Sequence, residues 1–155
     1  MPVRTWLQEL LRARHPRSRV EVIDSSQRTL SAVIEEHGWT DRFDGWETFE
    51  VQVDVTGFVL SKRQSEIFLV EIKSNPITLR DLGQLIGYCK VVNPKLGLIL
   101  SPRGLSKAMA LLLQIYKRYD VLEIGDARPV VVARWLEVKM DLDYGCLIPQ
   151  GVNVP

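Results

Sequence analysis

The 155-residue sequence predicts an α/β fold in which a mixed β-sheet is flanked by helices. Three features point there. The β-branched and aromatic stretch ETFEVQVDVTGFVL is joined by the polar SKRQSE to a second apolar stretch, IFLVEIK, and the pair reads as an antiparallel hairpin. Two segments with helical periodicity follow it. Between and after them lie short apolar runs of the kind buried on both faces of a sheet. From the hairpin onward the predicted order is β-β-α-β-α-β.

Each element has its own justification. A first helix over Val3 to Arg14 places Trp6, Leu7, Leu10 and Leu11 on one face, and HPRSR breaks it. VEVID is a short strand or an irregular entry to the next helix. That second helix carries Leu30, Val33, Ile34 and His37 on its apolar side and ends at Gly38, a suitable C′ residue. TLRDLGQLIGYCKVV is helical, with Thr78 as N-cap and Asp81 at N3 forming a capping box. KLGLIL reads as a buried strand, SKAMALLLQIYKRY as a helix, DVLEI as a strand and PVVVARWLEVKMDL as a last strand with a tail. The length suits a single domain over 1–155. Within it, 1–38 form an N-terminal helical part, 47–126 the core, and 127–155 a C-terminal strand and tail.

Composition sets the class. Hydrophobic residues make up 46% and charged residues 25%, as in an ordinary globular protein. Runs such as GLIL, VVVA and MALLL are far too short to span a bilayer, and MPVRTWLQELLRARHP lacks the apolar stretch of a secretory signal. Cys89 and Cys146 have neither metal-site nor disulfide-framework spacing, and Cys89 reads as a reduced core thiol. A cytoplasmic, non-membrane protein is expected. The net charge of +1 is neutral on nucleic acid, although Arg4, Arg12, Arg14, Arg17 and Arg19 crowd the start.

The chemistry concentrates in the hairpin. Glu71 and Lys73, two residues apart, project from one strand face. A symmetric hairpin centred between Lys62 and Arg63 sets Asp54 opposite Glu71, with Cβ atoms about 4.5–5.5 Å apart. Two carboxylates at that spacing repel each other and suit a shared divalent cation. On the helix that follows, Gln84 and Tyr88 are i, i+4 neighbours in a polar stripe that includes Asp81.

VDVTGFVL, with EIK seventeen residues after its Asp, resembles the PD-(D/E)xK nuclease superfamily, and QLIGY resembles the QxxxY element of its RecB-type branch. The resemblance covers about Glu47 to Asp126. It implies a restriction-endonuclease-like fold and a Mg2+- or Mn2+-dependent nuclease acting on DNA rather than RNA. It further implies Asp54 and Glu71 as metal ligands, the Ile72 carbonyl as a third, Lys73 as the residue that orients the attacking water, and Gln84 and Tyr88 as supports or DNA contacts. A homodimer is the expected way to cut both strands. Two features depart from the family pattern. Val53 stands where its proline is common, and no upstream acid is well placed. Glu35 and Glu36 lie at the wrong helix end, and Glu50 is about 13 Å along the strand from Asp54. The alternative is therefore an inactive nucleic-acid-binding or scaffold module on the same fold. A third reading is a structural subunit whose acid–lysine cluster is a buried ion pair.

Other features have plainer readings. The second E-x-K, at Glu137–Lys139, lacks a following helix with a Gln/Tyr stripe and reads as a surface strand. His37 is expected as a core or boundary histidine and His15 as exposed. Trp39 and Trp46 are expected to cover the hairpin. GLILSPRGLS resembles an anion-binding loop at a helix start, with Ser106 as N-cap and Arg103 nearby; a capped helix start is an equal reading.

Overall fold

In the computed structural model, which describes residues 1–126 and 128–154, helix α1 (Pro2–Arg14) leads to strand β1 (Arg19–Asp24) and helix α2 (Leu30–Glu36). Strands β2 (Val55–Leu60) and β3 (Ser65–Ile72) form the hairpin, followed by helix α3 (Leu79–Val92) and strand β4 (Leu96–Ser101). Helix α4 (Lys107–Ala110) precedes strands β5 (Val131–Leu136) and β6 (Asp141–Leu142). All six strands join one mixed sheet in sequence order, with β3, β4 and β5 parallel and the other pairings antiparallel.

The sheet is covered on both faces. On one, Val3, Leu7 and Leu11 of α1 pack on Val55, Phe68 and Val70. On the other, α2 and α3 bring Val33, Ile34, Leu82 and Leu85 onto Phe58, Leu69 and Ile99. Each large apolar side chain taken fully out of water contributes about 1.5–3 kcal/mol. Two close approaches depend on glycine. A Cβ at Gly57 would lie 2.9 Å from Cδ1 of Leu11, and one at Gly97 would collide with Sγ of Cys89. Trp6 extends α1 across the sheet: its Nε1 donates to Asp141 Oδ1 at 2.9 Å, and its ring meets Trp135 edge-on at 5.9 Å. No helix among the described residues is long and apolar enough to cross a membrane.

Several elements differ from the sequence reading, each for a physical reason. VEVID is a full edge strand. The β-rich stretch from Glu47 enters the sheet only at Val55; before that, Trp46–Thr48 form a 3-10 turn. The first-turn amides of a helix lack internal partners, and those of α2 take the carbonyls of this segment. Leu30 N–H donates to Val51 O at 2.8 Å and Ser31 N–H to Phe49 O at 3.0 Å. DVLEI is not a strand: Tyr119–Leu122 form a 3-10 turn, because β3 and β5 already fill both edges of β4. The predicted fourth helix widens into a π turn over Leu111–Ile115. There Leu113 is buried while Leu111 and Ile115 face solvent, since the apolar residues surround the axis and only one face has a partner. The second E-x-K is not a strand either. It forms the exposed turn between β5 and β6, closed by the Trp135–Leu142 and Leu136–Asp141 pairs.

Candidate active site

The hairpin register decides where the acids meet. Val55 pairs with Val70 and Leu60 with Ser65, so the centre falls between Lys62 and Arg63, and the next position beyond Val55 and Val70 sets Asp54 against Glu71. The sequence arithmetic holds. On β3, Phe68 and Val70 belong to the core under α1, whereas Ile67 and Leu69 belong to the core under α3. Glu71 continues the α3 face.

Each side chain has a defined partner. Asp54 is half-buried, and its Oδ2 accepts the Ile72 N–H at 2.7 Å. This places its carboxylate at the open end of the two strands, on the same edge as Glu71. Lys73 donates to Glu71 Oε1 at 2.8 Å and lies 3.7 Å from Asp81 Oδ1. Glu71 is 7% exposed, and its Oε2 is buried with no hydrogen-bond partner. Burial raises the Glu71 pKa, with the Asp54 charge adding to it, and together they outweigh the opposing pull of Lys73. For Lys73, burial disfavours the charge, but Glu71, Asp81 and Asp54 outweigh it and hold the ammonium above its ordinary value. Burial likewise works against the Asp81 charge, yet the bonds from Thr78 and the nearby Lys73 keep its carboxyl below the ordinary value.

A cleft of about 730 Å3 opens beside these groups, at the carboxyl ends of β3 and β4, the end of parallel strands where α/β sheets bind ligands. Asp54, Ile72, Lys73, Arg103 and Glu137 line it. Glu71 is bonded to Lys73 but does not itself line the cleft. Gln84 and Tyr88 are joined to each other, Nε2 to the phenol oxygen at 2.9 Å, and neither lines the cleft. The α3 residue that reaches Lys73 is Asp81. Its Oδ2 is fixed by the Thr78 amide at 2.8 Å and the Thr78 hydroxyl at 2.7 Å, so the predicted capping box is present.

The donor set suits a hard dication. Magnesium is commonly held by one or two carboxylates and keeps several waters, and an orphaned carboxylate oxygen inside a protein lacks a cation or a donor. No group of three or more His, Cys, Asp or Glu side chains that could hold a metal occurs among the described residues. Glu35, Glu36 and Glu50 are exposed.

Sequence reasoning placed Arg103 near a helix start but not on this cleft, and it assigned Glu137 no role. Ser106 is the N-cap of α4, accepting the Met109 N–H at 3.3 Å. His37 is exposed, donates from Nδ1 to Val33 O at 2.9 Å and stacks on Trp39. His15, expected to be exposed, is half-buried with its ring edge toward Phe68, because the chain turns back over the sheet after α1. Trp39 covers Phe58 at 4.8 Å, and Trp46 packs beside it on the same core. Comparison with protein-family models, curated proteins and solved structures finds no match to this chain.

Proposed function

We propose that this chain is a divalent-metal-dependent nuclease that hydrolyses phosphodiester bonds in nucleic acid, DNA ahead of RNA, on a restriction-endonuclease-like core. The observation that carries this reading is the meeting of Asp54 and Glu71 at matched positions where β2 and β3 end, with one buried Glu71 oxygen unpartnered and an ammonium two residues further on. Asp54 and Glu71 would hold Mg2+ or Mn2+, with the Ile72 carbonyl as a third ligand. Bound there, the cation supplies an activated water and charge neutralisation at the phosphate. Lys73 lines the cleft, and its ammonium would orient the attacking water and stabilise the charge that gathers on the phosphate. Arg103 adds a second cation to the same wall, suited to a backbone phosphate. Gln84 and Tyr88, bonded to each other off the cleft, would support the site geometry from the neighbouring helix.

The test is cleavage of labelled single-stranded, duplex, flapped and branched DNA in magnesium, manganese or EDTA. Metal-dependent cleavage is expected, with Asp54→Ala and Lys73→Ala each lowering the rate about 100-fold or more while remaining folded. Full cleavage by either folded variant overturns the assignment. The rival reading is a nucleic-acid-binding module without turnover, favoured by the absence, among the described residues, of any group of three acids placed to hold a metal together. Binding without cleavage across all those substrates and metals would select it.

A further inference from the structure

Lys73 stands between two acids, and the two hold it differently. Its Nζ is hydrogen-bonded to Glu71 Oε1 at 2.8 Å, while Asp81 Oδ1 waits at 3.7 Å. Asp81 cannot turn away. Its other oxygen is fastened by the amide and hydroxyl of Thr78 at the start of α3, which aims Oδ1 at the ammonium. Glu71 has one oxygen occupied by Lys73 and the other buried and unpartnered. A dication bound through the free Oε2 would repel the ammonium held on Oε1 of the same carboxylate, because like charges at that range repel. That repulsion loosens the ammonium from Glu71, and leaving it unpaired in a site it shares with buried groups is costly.

We propose that Asp81 is a positioning residue for Lys73, receiving its ammonium when Glu71 gives its carboxylate to a divalent cation. The proposal rests on the metal-centre reading above and adds to it a second resting place for the lysine. The movement is short, since Asp81 Oδ1 is already within ion-pair reach. It keeps Lys73 charged, paired and on the wall of the cleft that also holds Asp54 and Arg103. No proton or covalent bond changes hands. Asp81 touches neither cation nor substrate in this scheme and acts only through Lys73.

Manganese binding, measured by calorimetry with the metal alone, tests this as a double-mutant cycle. The proteins are wild type, Asp81→Asn, Lys73→Met and the double variant. The side-chain carbonyl of the Asp81→Asn variant can still accept the Thr78 N–H, and if that variant proves unstable, Asp81→Ser removes the charge with a smaller polar group and replaces it. In the wild-type background, loss of the Asp81 charge is expected to weaken manganese binding about 3- to 30-fold, and in the Lys73→Met background to leave it unchanged. Equal weakening in both backgrounds would mean that Asp81 acts as a remote negative charge, and the lysine relay is rejected. No effect in either background rejects it too. Failure of the wild-type chain to bind manganese at all rejects the metal centre itself, so the two failures are distinct.

Discussion

Glu71 is the residue whose environment is least comfortable. Its folded pKa lies above its ordinary 4.5 because burial opposes its charge. A raised folded pKa means that the folded state holds the proton more tightly than the unfolded chain does. The stabilisation from that proton is complete below pH 4.5 and is lost as pH rises through the folded pKa. Glu71→Gln has no proton to lose. In metal-free buffer, the melting temperature of wild type relative to Glu71→Gln is therefore expected to fall as pH climbs from 4.5 and then to level off. A difference that stays constant across that window would mean that Lys73 compensates the burial completely. Asp54 is more settled, because the Ile72 amide takes one of its oxygens at the point where the ladder ends.

Between elements, the tightest contact joins α3 and β4. Gly97 exists so that the Cys89 thiol can lie against the strand, and burial there pushes that thiol up to about 12. Gly97→Ala drives a methyl into sulfur and is expected to cost about 1–3 kcal/mol, measured by denaturant unfolding. Adding Cys89→Ala removes the obstructing atom and should recover part of the loss. Unequal legibility of the elements in the sequence has the same origin. The capping box at Thr78 and Asp81 is local and can be read from four residues. The opposition of Asp54 and Glu71 follows from counting outward from a polar turn. The Asp81–Lys73 approach depends on how α3 lies on the sheet, which no local pattern encodes. Residues 49–51 read as strand because their side chains suit one, yet the unsatisfied amides of α2 claim their carbonyls. DVLEI likewise has strand chemistry and no vacant sheet edge.

For the molecule as a whole, the sheet is clamped on one face by α1, which contacts β2 through Gly57 and reaches β6 through Trp6 and Asp141. A cation bound between β2 and β3 would add to global stability by linkage, by about 2.7 kcal/mol at one hundred times its dissociation constant. For a chain of this length that corresponds to a rise of several degrees in melting temperature. Magnesium or manganese is expected to raise the wild-type melting point and leave Asp54→Ala unchanged, as read by calorimetry. Equal shifts in both would place the ion elsewhere, and no shift in either would leave Glu71 and Lys73 as a plain ion pair.

The bend at Ser61–Gln64 has a reach beyond its size. Ser61 and Gln64 tie it shut through backbone and hydroxyl bonds, and six matched pairs separate it from the cleft end, about 20 Å away. One residue more or fewer in that bend would turn every side chain of one strand to the other side, parting the two acids without altering either. The spacing of the carboxylates is thus inherited from a corner that never touches them.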